Sequence, residues 1–187
     1  MSPLLKPLLV GLVALCLSVT SHAGWNPLAK EDAANEQQQA RSAAAETIAE
    51  FKKADPKLQV FFDQAYGYAI FPTVGKGGMG IGGAFGQGLV YRGGLHTGDS
   101  KLVQLSIGFQ FGGQAYSELI FFKDKAAFKR FTEDNFELSA QASAVAVTAG
   151  AAANVDYSDG IAIFTQIKGG LMYEASVGGQ TFDYKPL

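Results

Sequence analysis

The chain has 187 residues, of which 15 are basic and 17 acidic, so its charge is nearly balanced. That balance argues against nucleic acid as a partner, because binding there is driven by neutralising phosphates. Hydrophobic residues make up 48% of the chain, enough for a real core rather than a disordered tail.

The first residues read as an export signal. Lys6 gives the positive start, Leu8 to Val19 the apolar run, and Ser21-His22-Ala23 the small residues of a cleavage site, so the cut is expected after Ala23. Cys16 lies inside the apolar run. Val13-Ala14-Leu15-Cys16 is a poor lipoprotein site, since bulky Leu15 stands where a small residue is wanted, and lipidation of Cys16 is the lesser reading. With the leader removed no cysteine remains, and thiol chemistry and cysteine-based metal sites are excluded. No later stretch has the apolar length of a membrane-spanning helix. The expected product is exported, periplasmic or otherwise associated with the cell envelope.

Residues 24–54 then form an N-terminal helical segment, with Lys30 to Lys53 free of internal Gly and Pro. Ala44, Ile48 and Phe51 lie on one stripe of it. Asp55-Pro56 starts a second helix, in which Leu58, Phe61, Phe62 and Ala65 follow helical spacing. Tyr68 to Val74 reads as a strand with an edge or bulge at Pro72.

Residues 75–94 are the densest glycine stretch. At period two, one face carries Gly78, Gly80, Gly82, Ala84, Gly86 and Gly88, and the other is mostly apolar. Glycine weakens a strand, so such a row implies close approach of another backbone, a ring or a ligand. Gly75-x-Gly77-x-x-Gly80 matches a dinucleotide fingerprint by letter, but the glycines that follow would not sustain the required helix. A turn follows near Gly93 to Ser100. Lys101 to Phe111 and Gln114 to Phe122 read as two strands joined through Gly112-Gly113. Asp124 caps a short helix reaching about Asp134. Phe136 to Val147 alternates like a strand of small residues, with a helical reading left open. Ala162 to Gly170 repeats Ala69 to Gly78 one residue shorter, which suggests two equivalent hairpins. The expected class is α+β, a curved antiparallel sheet with scope for barrel-like closure and two or three packed helices.

Gly67-Tyr68-Ala69-Ile70-Phe71-Pro72-Thr73-Val74-Gly75-Lys76-Gly77-Gly78 and the run Gly80 to Gly88 resemble the core of the SYLF domain. Ser106 to Gln114 resembles its second hallmark, and Gly169-Gly170-Leu171 with Ala175 to Gly179 its third. The resemblance makes 55–187 a SYLF-like lipid-binding domain. It implies a phospholipid or membrane surface as partner, with no cofactor. Actin, a partner of fungal members, is not expected for an exported chain.

Phospholipid needs cations for its phosphate. The candidates are Lys76 and Arg92 bracketing the glycine strand, Lys52, Lys53 and Lys57 at the helix junction, and Lys123, Lys125, Lys129 and Arg130 around the short helix. The competing expectation is a structural or assembly protein of the envelope, acting on a protein partner through the N-terminal helix. An enzyme is not expected. Once the leader is gone His96 is the sole histidine, placed in a turn where a solvated role is the default, and no Gly-x-Ser-x-Gly elbow or metal-ligand spacing is present. Asp156 with Asp159 and Glu133-Asp134 sit in polar, turn-like sequence where solvated carboxylates are the norm.

Overall fold

The computed structural model describes residues 27–133, 136–139, 141–170 and 177–187. The proposed leader and residues 171–176, which include part of the third SYLF-like motif, lie outside them. Helix α1 (Pro27–Ala54) turns Ala44, Thr47 and Phe51 inward at helical spacing, while residues 31–36 are exposed on every side. Asp55 ends it. One carboxylate oxygen of Asp55 accepts the Lys57 N–H at 3.0 Å and caps the 3-10 turn Pro56–Leu58, and the other accepts the Ala152 N–H at 2.7 Å. Helix α2 (Gln59–Gln64) follows directly.

Strands β1 (Gly67–Arg92) and β2 (Leu95–Phe122) form one long antiparallel hairpin. Its turn is Gly93-Gly94, with φ of 57° and 79°, the left-handed pair that a tight two-residue hairpin demands. A straight strand of 26 residues would run roughly 85 Å, far beyond a domain of this size. The hairpin therefore bends, with register shifts at Phe71/Val74, Met79/Ile81 and Val90/Tyr91. The first of these is the irregularity expected at Pro72.

The bend folds β1 onto itself. A Cβ on Gly88 would stand 2.6 Å from the Ile70 carbonyl oxygen and 2.6 Å from the Phe71 ring, and one on Gly86 2.9 Å from Val74. The bare glycine positions at this end are sealed by the protein's own main chain and rings. The expected junction at Gly112-Gly113 does not exist, because those glycines pair with Gly78 and Gly77 and β2 runs straight through. A turn would have sacrificed the pairing that the partner glycines offer.

β2 is the spine of a six-stranded sheet. On the edge away from β1, residues 98–104 pair with β6 (Gln180–Pro186) and residues 114–122 with β5 (Ile161–Gly170). β5 and β6 thus each pair with β2 and not with one another, which corrects the expected second hairpin. Short β3 (Phe136–Glu137) pairs with β6, and β4 (Val145–Ala146) joins β5 in parallel, the one non-antiparallel pairing among the described residues. The alternating strand expected over 136–147 shrinks to these two fragments.

Helix α3 (Lys125–Thr132), capped by Asp124 at 2.9 Å, inserts Phe128 and Phe131 against Phe122 and Phe182 at the end of the inner core. The opposite face of the sheet, with Ile70, Leu89, Leu119, Phe121 and Phe164, is covered by α1 and α2. The class is α+β, as expected.

Candidate functional site

The inner face of the sheet changes from apolar to polar along its length. Beyond the ring layer lie Lys76, Gln114, Tyr116, Glu118 and Gln180, all buried. The Gln180 side-chain amide donates to Glu118 at 3.0 Å and to the Tyr116 hydroxyl at 3.1 Å. Burial pushes the Glu118 carboxyl up to about 8, against the pull of the Gln180 bond and the Lys76 charge. Burial and the nearby carboxyl likewise raise the Tyr116 phenol.

Lys76 is only 4% exposed and belongs to this layer. It is not the surface cation that its place beside the glycine strand suggested: the bend carries it inside, facing Glu118. Arg92 is exposed at the hairpin turn. Lys52 lies over the Phe62 ring at 4.2 Å, and Lys53 and Lys57 are exposed beside it. Lys123 and Lys125 are exposed, Lys129 pairs with Glu133 at 3.7 Å, and Arg130 pairs with Asp159 at 3.5 Å. The candidates therefore fall into a group at the α1–α2 junction and a group around α3. Arg92 lies at the α3 end, since Gly67 touches both the Tyr91 carbonyl and the Phe128 ring.

His96 is not a solvated turn residue. Its side chain is 8% exposed, stacks near Tyr91 and bonds Asp99 at 3.0 Å. Tyr91 stacks on Tyr68 at 5.0 Å, and burial followed by that neighbour pushes the Tyr68 phenol up to about 12. Among the described residues no group of three or more His, Cys, Asp or Glu is placed to hold a metal.

Two features were not singled out by the sequence reading. The first is an exposed apolar row on the outer face of the bent hairpin. Phe85 (53% exposed) pairs across the strands with Val103 (46%), and Leu105 (81%) follows on β2. Three large apolar side chains clustered in water differ from the single exposed residues common on any surface.

The second is a groove of about 1200 Å³ between the N-terminal half of α1 and the sheet. Ala33, Ala40 and Ala43 form its helical wall, and Phe85, Leu89 and bare Gly75 line the sheet side. Lys101, Asp99, Asp183 and Lys185 border it. Period-two reading of β2 does place Val103 and Leu105 in one row. Nothing in a sequence says which row another element will cover.

The curved α+β sheet thus combines a stratified interior, an exposed apolar row and a helix-walled groove. Residues 103–185 match the family described as Las17-binding protein actin regulator, Ysc84, which is the SYLF family. Over 129 residues the chain is also 30% identical to Beta cell expansion factor A of Aeromonas veronii, covering 68% of this chain and 49% of that protein. The chain therefore spans about half the length of that curated relative. The resemblance read from the motifs holds: residues 103–185 match the SYLF family, whose members act in lipid binding or at membranes.

Proposed function

We propose that this protein binds phospholipid at a membrane surface and catalyses no reaction. The observation that carries this is the exposed row Phe85, Val103 and Leu105 on the SYLF-like sheet, three large apolar side chains left together in water. In this reading the row dips into the hydrocarbon boundary. The exposed lysines around α3 and at the helix junction meet anionic headgroups, each adding about 1 kcal/mol near a charged membrane. The location proposed with it is the cell envelope, reached through the leader 1–23. N-terminal sequencing of protein recovered outside the cytoplasm should begin at Gly24.

Co-sedimentation with anionic and zwitterionic vesicles at low and high salt tests the function. Expected is pelleting with both, stronger with anionic vesicles at low salt, and at least tenfold weaker for Leu105→Glu with unchanged thermal stability. Negligible pelleting with every vesicle rejects it. A second reading, a structural or assembly protein of the envelope, is favoured by residues 31–36 of α1 being exposed all round, as a helix awaiting a partner chain would be. Light scattering after size exclusion, with and without residues 24–54, would then show a defined assembly that depends on the helix.

A further inference from the structure

We propose that this protein bridges two bilayers, with the apolar row seated in one and a cationic end of the sheet set against a second, anionic one. This rests on the phospholipid reading above. Cations from several elements meet where the hairpin tip folds over the start of β1. Lys52 of α1 lies over the Phe62 ring, Phe62 packs on Tyr68 at 5.2 Å, and Tyr68 stacks on Tyr91, the neighbour of Arg92. A Cβ on Gly67 would touch both the Tyr91 carbonyl and the Phe128 ring. Gly67 also pairs with Phe122, so Lys123 and the first residue of α3, Lys125, stand at this same end.

The charges there are free to act outward. Arg92, Lys123 and Lys125 are exposed and form no ion pair among the described residues, whereas Lys129 and Arg130 are matched by Glu133 and Asp159. Of the remaining acids, Asp124 accepts the Ala127 N–H and Asp63 accepts from Gln59. Leu95 protrudes from the hairpin tip at 73% exposure. An apolar prong flanked by unmatched cations complements an anionic bilayer, the cations meeting headgroup phosphates and the leucine the acyl boundary.

The row is kept from that same bilayer by the fold. Val103 lies roughly 27 Å along β2 from Leu95 at the ordinary strand rise. Helix α1 crosses the outer face between them: Leu89, between Phe85 and Arg92 on β1, is buried in one cluster with Ala44 and Phe51 of α1. A helix is about 10 Å across and so stands as a ridge between the two contacts. Its exposed residues include Glu36, Glu46 and Glu50, which repel an anionic surface. A flat bilayer seated on the row is thus held off the tip, and the two contacts face different bilayers.

The test is clustering of vesicles by dynamic light scattering, run beside pelleting on the same samples. Wild type at low salt should cluster vesicles rich in phosphatidylglycerol and raise their apparent diameter several-fold. Vesicles of phosphatidylcholine alone should pellet the protein yet stay single, because the cationic end has nothing to hold. Arg92→Glu/Lys123→Glu/Lys125→Glu should lower clustering at least tenfold per molecule of protein pelleted. High salt applied to wild type serves if that variant does not fold: the clusters should disperse while protein still pellets through the row. If wild type pellets but never clusters, if phosphatidylcholine vesicles cluster as well as anionic ones, or if the triple variant clusters like wild type, bridging is overturned and membrane binding stands. If wild type pellets with no vesicle, the phospholipid reading itself falls.

Discussion

At the scale of single residues, Glu118 sets a pH dependence. Its folded value is raised from 4.5 to about 8, so the folded protein keeps a proton that the unfolded chain releases. A raised carboxyl contributes stability that is fully present below about 4.5 and is lost as pH climbs through about 8. Glu118→Gln copies the neutral acid and should flatten that decline, read as the denaturant midpoint at intervals across this range. Gly88 gives a sharper steric prediction. Gly88→Ala would force a methyl group within 2.6 Å of the Ile70 carbonyl, and a destabilisation of about 1–3 kcal/mol by chemical denaturation is expected. Gly75→Ala, facing open space, should be nearly neutral. In the sequence the two glycines belong to one run. The folding back of β1 closes Gly88 against the Ile70 carbonyl, while Gly75 borders the groove.

At the scale of elements, the joint between α1 and the rest of the molecule hangs on Asp55. Desolvation raises its carboxyl, but bonds from the backbone N–H groups of Ala152, Lys57 and Gly150 outweigh that and hold it below 3.8. The contribution is therefore present above 3.8 and lost as pH falls below it. Asp55→Ala should cost about 1–3 kcal/mol by leaving buried N–H groups unpaired, and hydrogen exchange should rise first at Ala152. The helices were legible because each carries its own boundary signal: Asp55-Pro56 and Asp124 are caps whose chemistry is local. Strand limits were less so. Gly112-Gly113 has the composition of a turn, yet a continuous partner strand overrides it, and the alanines of 136–147 carry too little side chain to settle their state alone. Lys76 was misplaced for a related reason. Its neighbours in sequence are glycines, and whether such a lysine reaches water depends on a bend dictated by pairing far along the chain.

At the scale of the whole molecule, the fold and family were readable from spaced motifs, whereas the surface that meets a partner was not. Val103 and Leu105 look like core in any hydrophobic pattern and are marked only by the lack of a covering element, and Phe85 beside them is only partly shielded at the edge of the α1 groove. Charge patterning pointed instead to lysines, and the structure divides these between helices packed on opposite faces of the sheet. If contact is led by the apolar row, binding at high salt should persist for a Lys123→Glu/Lys125→Glu variant and vanish for Leu105→Glu, measured by vesicle pelleting.

The spine strand has one more consequence. Residues 98–104 of β2 wait for β6, which lies far along the chain, and Phe182 of that strand seals the inner ring layer. Such distant pairing is slow to form. Until β6 docks, the hairpin keeps one flank open, a row of unpaired main-chain groups that another strand could borrow.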